Sequence, residues 1–225
     1  MDLIRKKILE NYSDHIASSF SCVDILSVLY GVDSPYPPVL SEDDEFILSK
    51  GHAAPALYTI LAMKGVLKWE NLPKYGLHCD FRAPGVPFTT GSLGCGLGLG
   101  VGISLARRIQ GTTGRVFVLI GDGELYEGST WEAARFIWEH NLQEIIRPIV
   151  DFNSKSTYHT IPGGILNGYP LGYHYVADGH DKRAIRDNLI SAYSMIVFKT
   201  VKGRGIDWLE HDPLCHVRKV ISETA

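Results

Sequence analysis

Residues 116–153 constrain the fold of this chain more than any other stretch. Residues 116–120 (VFVLI) form a short, uninterrupted apolar run, the pattern of a strand buried on both faces. Gly121-Asp122-Gly123-Glu124 follows at once, then a helix-like segment at 130–140 (TWEAARFIWEH). A second apolar run, 145–150, leads into Asp151-Phe152-Asn153. This is a strand–helix–strand unit, which belongs in a parallel sheet.

The unit places an acidic residue at the carboxyl end of its first strand and an amide at the end of the second. In an open α/β sheet, ligands bind at strand carboxyl ends. One carboxylate plus one amide oxygen suits Mg2+ carrying a diphosphate, because Mg2+ takes a few protein oxygens and completes its shell with phosphate and water. Gly123 leaves a bare N–H that phosphate oxygens can approach closely. Taken alone, Gly-Asp-Gly is also a common turn, so the remainder of the chain must decide.

Several classes are excluded by composition. With 22 Lys+Arg against 25 Asp+Glu, a net charge of −3 and no basic run, there is no nucleic-acid surface. No apolar stretch approaches the roughly eighteen residues that span a bilayer, so no membrane is expected. Residues 1–12 read as an amphipathic helix and not as a signal peptide, since no apolar core follows the basic residues. The four cysteines (22, 79, 95, 215) form no CxxC pair, as expected of reduced thiols in a cytoplasmic protein.

Periodicity predicts helices near 2–12, 22–31, 53–64, 92–109, 129–141 and 181–192, and strands near 45–48, 115–120, 145–151, 173–176 and 194–200. That alternation predicts an α/β chain with a central parallel sheet covered by helices on both faces. Glycines at 94, 96, 98, 100 and 102 should weaken the fourth helix by about 1 kcal/mol each relative to alanine. Such a helix survives only where small residues permit close packing. Trp131 and Trp138, seven apart, are expected in the core. His140, His159, His174 and His211 are read as surface or packing residues.

Further segments in order along the chain carry a family resemblance. They are Asp14-His15-Ile16-Ala17-Ser18-Ser19, Leu48-Ser49-Lys50-Gly51-His52-Ala53, Thr89-Thr90-Gly91-Ser92-Leu93-Gly94, Gly121-Asp122-Gly123-Glu124, Asp178-Gly179-His180-Asp181 and Thr200-Val201-Lys202-Gly203-Arg204-Gly205. From about residue 10 to 216 the chain resembles the amino-terminal part of transketolase. The resemblance implies the diphosphate-binding (PP-type) fold of thiamine diphosphate enzymes and transfer of a two-carbon ketol unit from a ketose (phosphate) donor to an aldose acceptor. Thiamine diphosphate would bring the reactive chemistry, and the protein orientation and proton handling.

Residue by residue, the resemblance implies Mg2+ ligands at Asp122, Asn153 and the Lys155 carbonyl. It places His52, Gly91, Ser92, Leu93, Gly121, Asp122, Gly123, Glu124 and Asn153 around the cofactor. His52 and the Gly123 N–H would reach the diphosphate, the Gly91 carbonyl the aminopyrimidine, and Leu93 the thiazolium. His15, His52, His78 and His216 match catalytic histidines, His216 with flanking residues (Leu214-Cys215) that depart from the family's usual aromatic. In this family a glutamate on a second, pyrimidine-binding domain completes the site. Residues 1–225 are therefore expected to form a single diphosphate- and Mg-binding domain. It would act with a separate carboxy-terminal (pyrimidine-binding) transketolase subunit, as an α2β2 heterotetramer, on sugar phosphates. The residues leave two other readings open: a subunit of a deoxyxylulose-phosphate synthase-like or 2-oxo acid dehydrogenase-like enzyme, and a non-catalytic scaffold relative.

Overall fold

A computed structural model describes residues 1–156, 159–191, 194–216 and 219–220. Its helices are α1 (Leu3–Asn11), α2 (Ile16–Tyr30), α3 (Ala54–Met63), α4 (Leu72–Tyr75), α5 (Cys95–Gln110), α6 (Gly128–Glu139), α7 (Lys182–Ser191) and α8 (Asp207–His211). The strands are β1 (Glu45–Leu48), β2 (Val116–Gly121), β3 (Ile146–Phe152), β4 (Tyr173–Val176) and β5 (Met195–Lys199). They form one five-stranded sheet in the order β1-β2-β3-β5-β4, with every pairing parallel.

Alternation along the strands builds two apolar cores, one on each face. Phe117 and Leu119 of β2 join Phe46, Ile149, Ile196 and Phe198 beneath α1, α2, α3 and α7. Val116, Val118 and Ile120 join Ile146, Val150 and Val197 beneath α5 and α6. Each fully buried side chain such as Phe117 contributes about 1.5–3 kcal/mol. The strands are thus apolar on both sides because both sides are covered.

The glycine-rich α5 is a packing helix. A methyl group on Gly96 would lie 2.4 Å from the Ser49 side chain, and one on Gly100 2.7 Å from Val118 Cγ2. The helix therefore lies closer to the sheet than alanine would allow. No described helix is long and apolar enough to cross a membrane.

Three expectations need correcting. The second helix begins at Ile16, not at 22, and its residues through Leu29 are all buried. Its serines interrupt the apolar periodicity, and His15 caps it without a side-chain hydrogen bond, so neither of the usual start signals is present. The fourth helix begins at Cys95, because Gly94 at φ 84° turns the chain into it. Trp138 is not core: it is 59% exposed, since α6 buries the stripe Thr130, Ala133, Ala134 and Ile137. Trp131 is partly buried, its indole N–H donating to the Leu125 carbonyl at 2.7 Å.

Register fixes where the loops emerge. Gly121 lies beside Asp151, and Asp151 beside Phe198. The segments after β2, β3 and β5, which carry Asp122, Asn153 and Lys202, therefore leave the sheet side by side at its carboxyl edge.

Candidate active site at the carboxyl edge of the sheet

The floor of the edge is a buried ion pair. Lys50 is 2% exposed and its ammonium group meets the Asp151 carboxylate, which is fully buried. Ser21 Oγ donates to Asp151 Oδ2 at 2.5 Å and Thr200 Oγ1 donates to Oδ1. Lys50 Nζ also donates to the Ser18 carbonyl at 3.1 Å. Burial alone would neutralise both groups. Their contact instead holds Lys50 above the ordinary lysine range and Asp151 below the usual carboxylate range. The pair ties α2, β1, β3 and β5 together under the cleft.

Above it, Ser18, Lys50, His52, Leu93, Gly121, Asp122, Gly123, Glu124, Asn153, Lys155, Ser156, Lys202 and His216 line a cavity. Asp122 is 4% exposed, and burial together with Asp151 pushes its carboxyl up to about 6. One of its oxygens accepts the Ser154 N–H at 2.5 Å. Ser154 holds a left-handed φ of 64°, a strained setting of the kind found at functional sites. Asn153 Oδ1 accepts from the Lys155 N–H at 3.1 Å.

Among the described residues, no three His, Cys, Asp or Glu side chains group as a metal site. A divalent ion here would draw on carboxylate, amide and carbonyl oxygens plus its own phosphate, as Mg2+ does. The donor set Asp122, Asn153 and the Lys155 carbonyl fits that description. Glu124 has a different occupation. Its buried carboxylate accepts from Ser49 Oγ (2.5 Å), Gly94 N–H (2.9 Å) and Gly121 N–H (2.8 Å), clasping three loops at the cavity wall.

A second lysine, Lys202, also lines the cavity. Lys202 Nζ donates to the Lys155 carbonyl at 3.0 Å and lies 3.1 Å from His216 Nδ1. Burial and Lys50 lower its pKa to about 8, so it stays charged at neutral pH. An ammonium group only donates, so His216 Nδ1 is the acceptor and its proton sits on Nε2.

A second cavity, lined by His15, His52, Leu77, His78, Gly91, Leu93 and His216, continues from the first through His52, Leu93 and His216. The His216 ring lies 5.6 Å from that of His15 and 5.4 Å from that of His52. His15 holds a left-handed φ of 54° at the start of α2. Burial, with Lys50 next, keeps His52 well below 6.5; burial and Lys202 bring His216 to about 4. These imidazoles are neutral at pH 7, each with one donor and one acceptor nitrogen. Tyr58, buried in α3, donates to the His78 carbonyl (2.7 Å) and accepts the Asp80 N–H (2.8 Å). The Gly91 backbone packs on the His78 ring, where a Cβ would come within 2.9 Å.

The family described as "Transketolase, thiamine diphosphate binding domain" matches residues 3–206. The chain belongs to the transketolase family. It is 34% identical over 259 residues to the 6-deoxy-6-sulfo-D-fructose transketolase subunit SqwG of Clostridium sp., covering 99% of this chain and 90% of that protein. It is 33% identical over 226 residues to an apulose-4-phosphate transketolase subunit of Actinobacillus succinogenes, covering 90% and 81%. The transketolase structure from Campylobacter jejuni superposes with a TM-score of 0.81 at 23% identity over 98% of this chain. The chain spans only 39% of that protein's length. The fold is that of the thiamine diphosphate-binding domain.

In this transketolase domain, every site residue singled out from the sequence lies in or beside the joined cavities. His15, His52, His78 and His216 converge at one end; Asp122, Gly123, Asn153 and Lys155 lie at the other. Ser92 is exposed between Gly91 and Leu93. The sequence assigns no role to Lys50, Lys202, Ser18 or Ser156, which line the first cavity. Lys50 stands next to a recognised glycine–histidine pair, yet lysine is rarely buried, and its partner Asp151 is 101 residues away.

Proposed function

We propose that this chain is the diphosphate- and metal-binding subunit of a two-chain transketolase. It would transfer a two-carbon ketol unit from a ketose (phosphate) donor to an aldose acceptor, using thiamine diphosphate and Mg2+. The observation that carries the reading is the continuity of the two cavities: a cation-and-carboxylate end and a histidine end meet at His52, Leu93 and His216.

Asp122, Asn153 and the Lys155 carbonyl would hold Mg2+. The Gly123 N–H, His52 and the Lys202 ammonium group would hold the diphosphate, with the Lys50–Asp151 pair beneath it. Gly121 and Glu124 shape that wall, Glu124 by fixing the Gly94 and Gly121 amides. The Gly91 carbonyl and Ser92 would meet the aminopyrimidine, and Leu93 would pack on the thiazolium. When bound, thiamine diphosphate supplies the carbon nucleophile that accepts the ketol unit.

The chain's own part is proton handling. His216 carries its proton on Nε2 because Nδ1 faces Lys202, so Nε2 is the atom that donates to a substrate oxygen. His15, His52 and His78 would hold the sugar hydroxyls and accept their protons. An imidazole offers both a donor and an acceptor nitrogen for that work. Residues 1–225 act as one domain in this reading. Both relatives are named as transketolase subunits, which supports a separate partner that supplies the pyrimidine-binding half. We place the two chains in an α2β2 assembly.

Calorimetric titration of thiamine diphosphate with Mg2+ into the complex tests the reading. Asp122→Ala should weaken binding by more than the roughly 10–100-fold that even indirect metal partners cost. Unchanged Mg2+-dependent binding would reject Asp122 as a metal ligand, and a wild-type complex that binds no cofactor would favour a scaffold protein.

A further inference from the structure

The Asp178-Gly179-His180-Asp181 turn lies outside the cavities, yet His180 is locked between two groups of fixed polarity. Its Nδ1 lies 2.8 Å from Asp24 Oδ2, and its Nε2 accepts the Val201 N–H at 2.9 Å. A backbone N–H only donates, so Nε2 must be the unprotonated nitrogen. Asp24 is a carboxylate that also receives Arg5 Nη2 at 2.8 Å, and Arg5 in turn donates to the Phe20 carbonyl. Burial would raise Asp24, but His180 and Arg5 hold it down to about 2, so it only accepts. Both constraints give the same tautomer, a neutral ring with its proton on Nδ1.

Val201 sits between two residues of the site. Thr200 Oγ1 bonds the Asp151 carboxylate, and Lys202 Nζ enters the first cavity. The turn is pressed against β5 behind them: the Gly179 N–H donates to the Lys199 carbonyl at 2.7 Å, where a Cβ would collide. On the other side, the Gly203 N–H donates to the Ala17 carbonyl at 3.1 Å. His180 therefore grips the backbone between Thr200, which bonds the floor carboxylate, and Lys202, which lines the diphosphate end.

We propose that His180 is a positioning residue, which holds the Val201 N–H from behind and so sets the turn that delivers Lys202 to the cofactor. The proposal rests on the reading of that cavity as the diphosphate site.

Thiamine diphosphate with Mg2+ is titrated into the two-chain complex for the wild type, His180→Gln, His180→Phe, Lys202→Ala and the His180→Phe/Lys202→Ala double variant. A glutamine amide can donate to Asp24 and accept from Val201, so Gln should bind within about threefold of wild type; Phe should weaken binding about tenfold, the worth of one hydrogen bond. In the Lys202→Ala background, His180→Phe should have no further effect, because the two act in series. Nitrogen-15 spectra of the imidazoles should show Nδ1 of His180 protonated and Nε2 bare. Equal losses for Phe with and without Lys202, a Gln variant as weak as Phe, or a proton on Nε2 would each overturn the proposal. If His180→Phe does not fold, Gln binding and the imidazole spectrum decide alone. A wild type that binds no cofactor defeats the functional reading instead, and the spectrum still tests the hydrogen bonds.

Discussion

His216 stands at the junction of the two cavities, and its neighbours set its titration. Burial and the Lys202 ammonium group lower it to about 4, whereas an unfolded histidine titrates near 6.5. Between those values the unfolded chain takes up a proton that the folded chain refuses. Stability contributed by the neutral ring is therefore complete above pH 6.5 and is lost as pH falls toward 4. His216→Asn should remove this slope. Urea unfolding at pH 7 and pH 4.5 should show the wild type losing about 1 kcal/mol more than the variant across that window, a figure reduced for a partly solvated ring. Equal losses would mean that burial and Lys202 do not hold the imidazole neutral. The residue types around this site were readable from the sequence because motif spacing carries them. The cations were not, since a buried lysine is recognised only by a partner that the fold brings from far along the chain, as Asp151 comes to Lys50.

At the scale of elements, α3 serves both ends of the histidine cavity. His52 lies in the turn that enters it, and Tyr58, further along, grips the loop that carries His78. A single hydroxyl satisfies both the His78 carbonyl and the Asp80 N–H. Tyr58→Phe keeps the packing and strands both groups, which should cost about 1–3 kcal/mol. We expect a lower melting temperature and faster hydrogen exchange at the Asp80 amide. Turnover in the complex should fall while thiamine diphosphate affinity stays, because the diphosphate end is built from other elements. An Asp80 amide as protected as before would show that the loop is held by other contacts. The strands and most helices were legible because each pairs a clear period with an apolar run. The start of α2 was not: it is buried all round, so it lacks the polar face that marks a surface helix. Short helices such as α4 and α8 carry too few residues for a period to show.

For the molecule as a whole, the cleft is finished at one end and open at the other. Lys50, Asp122 and Lys202 are each under 5% exposed, whereas Leu93 is 36% exposed and His78 and Ser92 face solvent. A ligand with a charged tail and an apolar ring system would bury the tail here and leave the rings against an uncovered leucine. Burying apolar surface is worth about 25 cal/mol per Å2, so a second wall over Leu93 would add to the binding energy. Thiamine diphosphate with Mg2+ should accordingly bind at least about tenfold more tightly to a mixture with the pyrimidine-binding chain than to this chain alone, a difference of about 1.4 kcal/mol. Calorimetry on the two samples decides it. Equal affinity would place the complete cofactor site on this chain and reject a shared one. Absence of binding in both, with the partner folded, would reject thiamine diphosphate as the ligand. Tight binding only in the mixture would locate a second wall on the partner, opposite the open faces of Leu93 and His78.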